Sequence, residues 1–86
     1  VKKFRLKIAT PENIVFNENI DMVVVRTIDG DIGIMDRHTP LVSLLGKGKM
    51  KIKRDGVIKE AFIDGGYIHV KEKNTIIMCD YIEWKN

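Results

Sequence analysis

The sequence carries one cysteine, Cys79, in 86 residues. A lone thiol cannot form an internal disulfide, so the chain lacks that staple, and a reducing compartment fits. No apolar run approaches the roughly 18 residues needed to cross a bilayer. The basic start VKKFRLKIAT lacks the long apolar stretch of a signal peptide. These absences predict a soluble intracellular chain. Helix signals are nearly missing as well. The best is Thr39-Pro40, as N-cap and first helical position before Leu41, Leu44 and Leu45, and it predicts one turn at most. There is no linker, repeat or low-complexity segment.

Groups suited to catalysis are also scarce. Ser43 is the only serine, and no motif sets it at a strained turn beside a base. His38, His69 and Cys79 are spaced too widely for a zinc ligand set, which wants pairs a few residues apart. Cys79 ends the run Ile76-Ile77-Met78 and reads as a small buried hydrophobe. Asp64-Gly65-Gly66 lacks the lysine and the strand-to-helix context of a phosphate loop. No reaction centre, metal site or nucleotide site is expected.

What the chain does contain is alternation. Phe4, Leu6 and Ile8 face one way and Lys3, Arg5 and Lys7 the other, the period of a half-buried strand. Ile14-Val15-Phe16 reads as a short strand and Asn17-Glu18-Asn19 as a turn. Ile20 to Thr27 is apolar on both faces, which fits a central strand or one that switches sheets. Gly46-Lys47-Gly48 is a turn. Lys49 to Lys53 alternates with Met50 and Ile52 inward. Asp55-Gly56 is a hairpin signal, and Val57 to Ile63 is the return strand. Tyr67 to Val70 puts Tyr67 and His69 opposite Ile68 and Val70. Glu72-Lys73-Asn74 is a turn, Thr75 to Cys79 the last apolar run, and residues 80–86 a tail. Phe4, Leu6, Ile8, Val24, Ile52 and Ile76 are the expected core. Nine or ten short strands with turns this close predict an all-β sandwich or barrel. At this length the chain is one small domain, burying only about 60–65% of its unfolded surface.

The stretch DGDIGIMDRHTPLVSLL, from Asp29 to Leu45, departs from plain alternation. Asp29-Gly30 signals a turn, because glycine takes positive φ without steric cost. Asp31 follows just beyond the tip. Gly33 interrupts a strand pattern, and Pro40 removes a ladder donor. Read locally, this is a hairpin followed by a loop. Read as a whole, it is a contact surface with an acidic tip and an apolar patch. A second feature is the basic segment KGKMKIKR. Lys47, Lys49, Lys51 and Lys53 project from one face, followed by Arg54. Net charge is only +3. A nucleic-acid track would normally add aromatics for base stacking. This segment has none, so a solvated lysine face is favoured.

The sequence resembles the N-terminal domain of the epsilon subunit of the bacterial F-type ATP synthase over almost its whole length. The resemblance rests on FRLKIATPENIVF, on Ile20-Asp21-Met22 leading into VVVRT, and on GDIGI followed by His38, Pro40 and Leu41 to Leu45. Asp64-Gly65-Gly66-Tyr67 and the strand over 74–80 extend it. The family typically reads G-[ED]-[LI]-G-I-x-P-G-H-x-P-L, so Asp36-Arg37 stands where Pro-Gly is usual. That departure puts the geometry of the knuckle in question. Asp64 replaces a common serine and Cys79 a common alanine.

The resemblance implies a flattened ten-stranded β-sandwich of short antiparallel strands over 1–86. It implies a non-catalytic rotor subunit without cofactor, bound to the gamma subunit and resting on the c ring, that couples proton or sodium flow to rotation. Asp29, Gly30, Asp31 and Ile32 match the loop that meets the ring. His38, Pro40, Leu41, Val42 and Ser43 match part of the surface against gamma. The subunit would sit peripherally at the cytoplasmic face of the cell membrane, touching it only through the complex, and bind no nucleic acid. Relatives usually continue into a two-helix C-terminal domain that inhibits ATP hydrolysis. This sequence stops about where it would begin, as a short form or a fragment, and such a chain is expected to bind gamma without that inhibition. The alternative is a stand-alone β-barrel binding nucleic acid through the lysine strand 47–54.

Overall fold

The computed structural model describes residues 2–86. The strands are β1 (Phe4–Ala9), β2 (Ile14–Ile20), β3 (Met22–Thr27), β4 (Gly30–Ile34) and β5 (Leu41–Leu44), then β6 (Gly48–Arg54), β7 (Val57–Asp64), β8 (Tyr67–Val70), β9 (Asn74–Met78) and β10 (Tyr81–Trp84). They form two five-stranded sheets. Sheet I has the order β2-β1-β9-β8-β5, and sheet II the order β10-β7-β6-β3-β4. The sheets stay open at their edges, so this is a sandwich and not a closed barrel. Every strand pairing is antiparallel except β1 with β9.

Alternation builds the core. Phe4, Leu6 and Ile8 of β1 meet Val23, Val25, Met50, Ile52 and Ile63 across the gap, with Ile68, Val70 and Ile77 completing sheet I. Cys79 is fully buried among them. Two expected core residues face the other way. Val24 and Ile76 are only half-buried. In each run the neighbours take the inward positions, Val23 and Val25 in β3 and Thr75 and Ile77 in β9. The runs are apolar on both faces, so composition could not set their parity, and a one-residue slip exchanges the two faces. Ile52→Ala should therefore cost about 2–5 kcal/mol, while Ile76→Ala should cost clearly less. Urea titration of both variants checks the assignment of faces.

Other expectations also change. Asn17-Glu18-Asn19 is not a turn, because β2 runs through it. Asn17 and Asn19 point outward and accept hydrogen bonds from the Arg5 guanidinium at 2.8 and 3.4 Å. The chain changes sheets at Asp21, between β2 and β3, so the sheet-switching option holds for residues 20–27. No helical turn follows Thr39-Pro40. Leu41 to Leu44 instead pair with β8, Leu41 opposite Val70 and Leu44 opposite Tyr67. The tail forms β10, whose Ile82 and Trp84 pack on the core. Trp84 meets Phe16 of β2 with ring centroids 6.0 Å apart, and Lys59 Nζ lies 4.4 Å over the indole. These side chains close one open side of the sandwich. On the other side a single bridge joins Thr27 to Leu45.

The two Asp-Gly pairs do different work. Asp55 and Gly56 are the central residues of a two-residue turn, with φ of 51° and 80°. That is the conformation whose twist suits a tight hairpin. Asp55 and Asp21 are tied through Lys3, whose Nζ donates to them at 2.7 and 3.0 Å. The Asp55 amide also donates to Asp21 at 2.8 Å. The Asp55 amide and then Lys3 hold the Asp21 carboxyl below its usual range. Hydrogen bonds to Asp55 and then Asp21 raise the Lys3 ammonium. A depressed folded carboxyl stabilises above its unfolded value, near pH 4, and that stability is lost as pH falls through the folded one. A raised lysine stabilises below its unfolded value, and the contribution is lost as pH rises through the folded one. Asp21→Asn should thus flatten the acid limb of a stability–pH curve below about pH 4. Thermal melts from pH 2 to 6 check this.

Candidate contact surfaces at the two ends of β4

The β3–β4 hairpin carries the acidic tip. Thr27 pairs with Gly30, so Ile28 and Asp29 form the turn itself, and Gly30 follows at φ 117°. Buried Thr27 organises it. Its hydroxyl donates to the Gly30 carbonyl at 2.7 Å and accepts from the Asp29 amide at 3.1 Å. The tip is pinned to the neighbouring segment. The Ile28 amide donates to Leu44 at 3.1 Å and the Gly46 amide to Arg26 at 3.1 Å. Asp29 is exposed and makes no ion pair among the described residues. Asp31 is exposed but engaged. Arg26, directly opposite on β3, grips its carboxylate through Nε and, at 3.3 Å, through Nη2. That hydrogen-bonded pair holds the Asp31 carboxyl below its usual range and raises Arg26. Ile32 is half-buried against the core.

β4 then runs about 16 Å at 3.3 Å per residue to the other group of candidates. The knuckle spans Met35 to Pro40. Arg37 has φ 66°, so the left-handed geometry that glycine favours is adopted by an arginine here. The turn closes through the His38 amide, which donates to Met35 at 3.2 Å. The His38 ring lies with Nδ1 2.7 Å from the Thr39 carbonyl. A carbonyl only accepts, so Nδ1 carries the proton and Nε2 is left outward-capable. Asp36 is mostly buried, with Lys73 at 3.5 Å. A non-glycine residue in this region costs about 1–2 kcal/mol. Glycine returns part of that as unfolded-state entropy. Arg37→Gly should stabilise by about 0.5–1 kcal/mol, read as a higher denaturant midpoint at unchanged m.

β5 returns from the knuckle toward the tip as the edge strand of sheet I. Parity divides the expected contact set. Leu41 packs on the core, and Ser43 is half-buried with its hydroxyl donating to Leu44 at 3.3 Å. Val42 is 67% exposed and lies opposite His69. His38, Pro40 and Val42 therefore stay available, and the structure does not gather the nine candidates into one patch. Leu44, Tyr67 and Ile28 are exposed apolar residues outside the expected contact set. Reading 41–44 as a strand would have exposed Leu44 beside Val42. Together with Ile76 and Met78, Val42, Leu44 and Tyr67 make one half of the outer face of sheet I mostly apolar, with His69 between Val42 and Ile76. Arg5, Lys7, Asn17 and Asn19 make the other half polar.

The lysine strand lies in sheet II. Lys49, Lys51 and Lys53 all point outward, and Phe62 on β7 stands opposite Lys49. An aromatic is therefore near, contrary to the reading of the segment alone. Glu60 faces Lys51, and Glu83 faces Phe62 on the same surface. A face of mixed sign suits water better than a phosphate backbone. No helix among the described residues is long and apolar enough to cross a membrane.

A family model described as the β-sandwich domain of the ATP synthase delta/epsilon chain matches residues 3–85. An ATP synthase epsilon chain from Caldicellulosiruptor bescii is 46% identical over 82 residues, which is 95% of this chain and 60% of that relative. One from Alkaliphilus metalliredigens is 48% identical over 82 residues, covering 95% and 61%. The chain thus spans about 60% of the length of these curated relatives. Among solved structures, a chain of the Euglena gracilis mitochondrial ATP synthase superposes with a TM-score of 0.92 at 20% identity, covering 98% of this chain and 54% of its own.

Proposed function

Since the chain belongs to the family of ATP synthase delta/epsilon β-sandwich domains, we propose that residues 1–86 form a non-catalytic domain of an F-type rotor. It links a gamma subunit to a ring of c subunits and so helps couple ion flow to rotation. The observation that carries this reading is the paired hairpin of β3 and β4, with an acidic tip at one end and the His38 knuckle at the other. A coupling element must transmit force between two partners without deforming, and close-packed sheets resist deformation. The tip, residues 29–32, meets a basic loop of the ring. His38, Pro40 and outward Val42, with Leu41 and Ser43 behind them, meet gamma. An exposed carboxylate suits a cationic loop, and an exposed apolar patch suits a protein surface. Membrane contact is peripheral, on the cytoplasmic face, and only through the complex. The domain itself holds no cofactor.

The test is a pull-down from native membranes with the tagged chain. Co-recovery of gamma and c subunits is expected. Recovery of nucleic acid alone would overturn the reading and restore the lysine strand as the site.

A further inference from the structure

We propose that Arg26 is an internal competitor for the acidic tip, holding Asp31 out of reach of a cationic partner and leaving Asp29 as the free carboxylate. This rests on the reading that residues 29–32 meet a basic loop. The placement of Arg26 is built into the sheet. It stands directly opposite Asp31 in the β3–β4 ladder, so the pair forms within one hairpin. Two guanidinium nitrogens engage both carboxylate oxygens, the fork geometry that lysine cannot reproduce. The base of the side chain rests against Gly48 on β6. A Cβ at Gly48 would fall 2.8 Å from Arg26 Cβ and 3.1 Å from its Cγ. Glycine there leaves room for Arg26 to lie along the sheet and reach Asp31. The backbone of Arg26 is held as well, because its carbonyl accepts from the Gly46 amide.

The consequence is a tip whose charges are unequal. Asp31 and Arg26 cancel to a neutral pair, and Lys51 lies near enough to act on the same carboxyl. Asp29 has no cation within ion-pair distance among the described residues and sits on the turn itself. An incoming lysine or arginine therefore meets Asp29 first. It gains Asp31 only by displacing Arg26, whose charge otherwise repels it. Arg26 thereby lowers the strength of the contact.

The experiment measures binding of the chain to a purified c ring carrying a basic loop, at low and at high salt. Arg26→Gln should tighten binding about two- to fivefold at low salt, the range set by an exposed ion pair. The gain should shrink near 1 M salt, where screening reaches about 3 Å. In the free chain the Asp31 carboxyl should titrate at higher pH in Arg26→Gln than in wild type, a readout that a purely structural role would move only if the fold changed. Asp29→Asn should weaken binding severalfold in the wild-type background. Equal or weaker binding by Arg26→Gln, with wild type binding normally, would show that Arg26 presents Asp31 and does not withhold it. That would overturn the inference and leave the rotor reading intact. A wild-type chain that fails to bind the ring at any salt would remove both.

Discussion

Gly66→Ala should lower the melting temperature by roughly 12 °C or more, and the variant should accumulate poorly. Gly66 has φ 99°, a region that L side chains rarely occupy. The added Cβ would lie 1.8 Å from the Met78 carbonyl oxygen and 2.7 Å from the Cys79 Cα. Both are backbone atoms of the segment leaving β9, so no rotamer change relieves the clash. β8 and β9 would have to separate where Tyr67 pairs with Met78. Backbone strain alone costs about 1–3 kcal/mol. The steric conflict adds to that, so a loss of about 3 kcal/mol or more is expected. In a domain of this size 1 kcal/mol is worth about 4–8 °C. Differential scanning calorimetry of Gly66→Ala beside Gly56→Ala makes the comparison sharp. Gly56 also has positive φ, but a Cβ there meets nothing within 4 Å. Equal melting temperatures for the two would mean that backbone strain, and not the approach of β9, sets the requirement.

Reversing the tip, Asp29→Lys with Asp31→Lys, should abolish attachment to the ring while leaving fold and gamma binding intact. The two side chains are exposed, and neither packs on the core. Their loss breaks the Arg26 pair, an exposed contact of small worth, and a lysine at position 31 adds a like-charge contact with Arg26 and Lys51 that is equally exposed. At an interface the arithmetic changes. Breaking one hydrogen-bonded charge pair costs about 2–5 kcal/mol when buried. The double reversal replaces attraction by repulsion, so a loss of affinity of at least about 30-fold is expected. The knuckle lies at the far end of β4, so capture of gamma should not change. Parallel binding to gamma and to the purified ring checks both statements. Undiminished ring binding at ordinary salt would mean that the contact lies elsewhere, for example on the apolar half of sheet I.

Much of the fold is readable from the residues, because alternation in a small sandwich has few solutions. β1 and β6 each have one apolar and one charged face, and their inward residues follow directly. The misplaced residues share a physical reason. Val24 and Ile76 sit in runs where both faces are apolar, so nothing local states the parity. β5 and β10 are four residues each and depend on a partner strand for their form. Without β8, Leu41 to Leu45 look like a helical turn. Without β7, residues 81–84 look like a tail. The candidate surfaces were visible as segments but not as surfaces. Sequence marks Asp31 as a carboxylate beside a turn. It does not say that Arg26, five residues earlier, comes to stand across from it once the hairpin closes.

The one parallel pairing, β1 with β9, bears on how the chain acquires its shape during synthesis. β1 is made about seventy residues ahead of its central partner in sheet I, Arg5 waiting for Asn74 and Ala9 for Met78. Only the hairpin with β2 can form early. Sheet II, by contrast, has its β3–β4 and β6–β7 hairpins built from neighbours in sequence. A ribosome must therefore release nearly the whole domain before sheet I can close. Until then the unpaired edge of β1 and its apolar face stand open to other chains. Pairings so distant along the polymer close slowly, and slow closure prolongs exposure to aggregation. The charges on β1, Arg5 and Lys7, keep that waiting edge soluble by mutual repulsion between nascent copies.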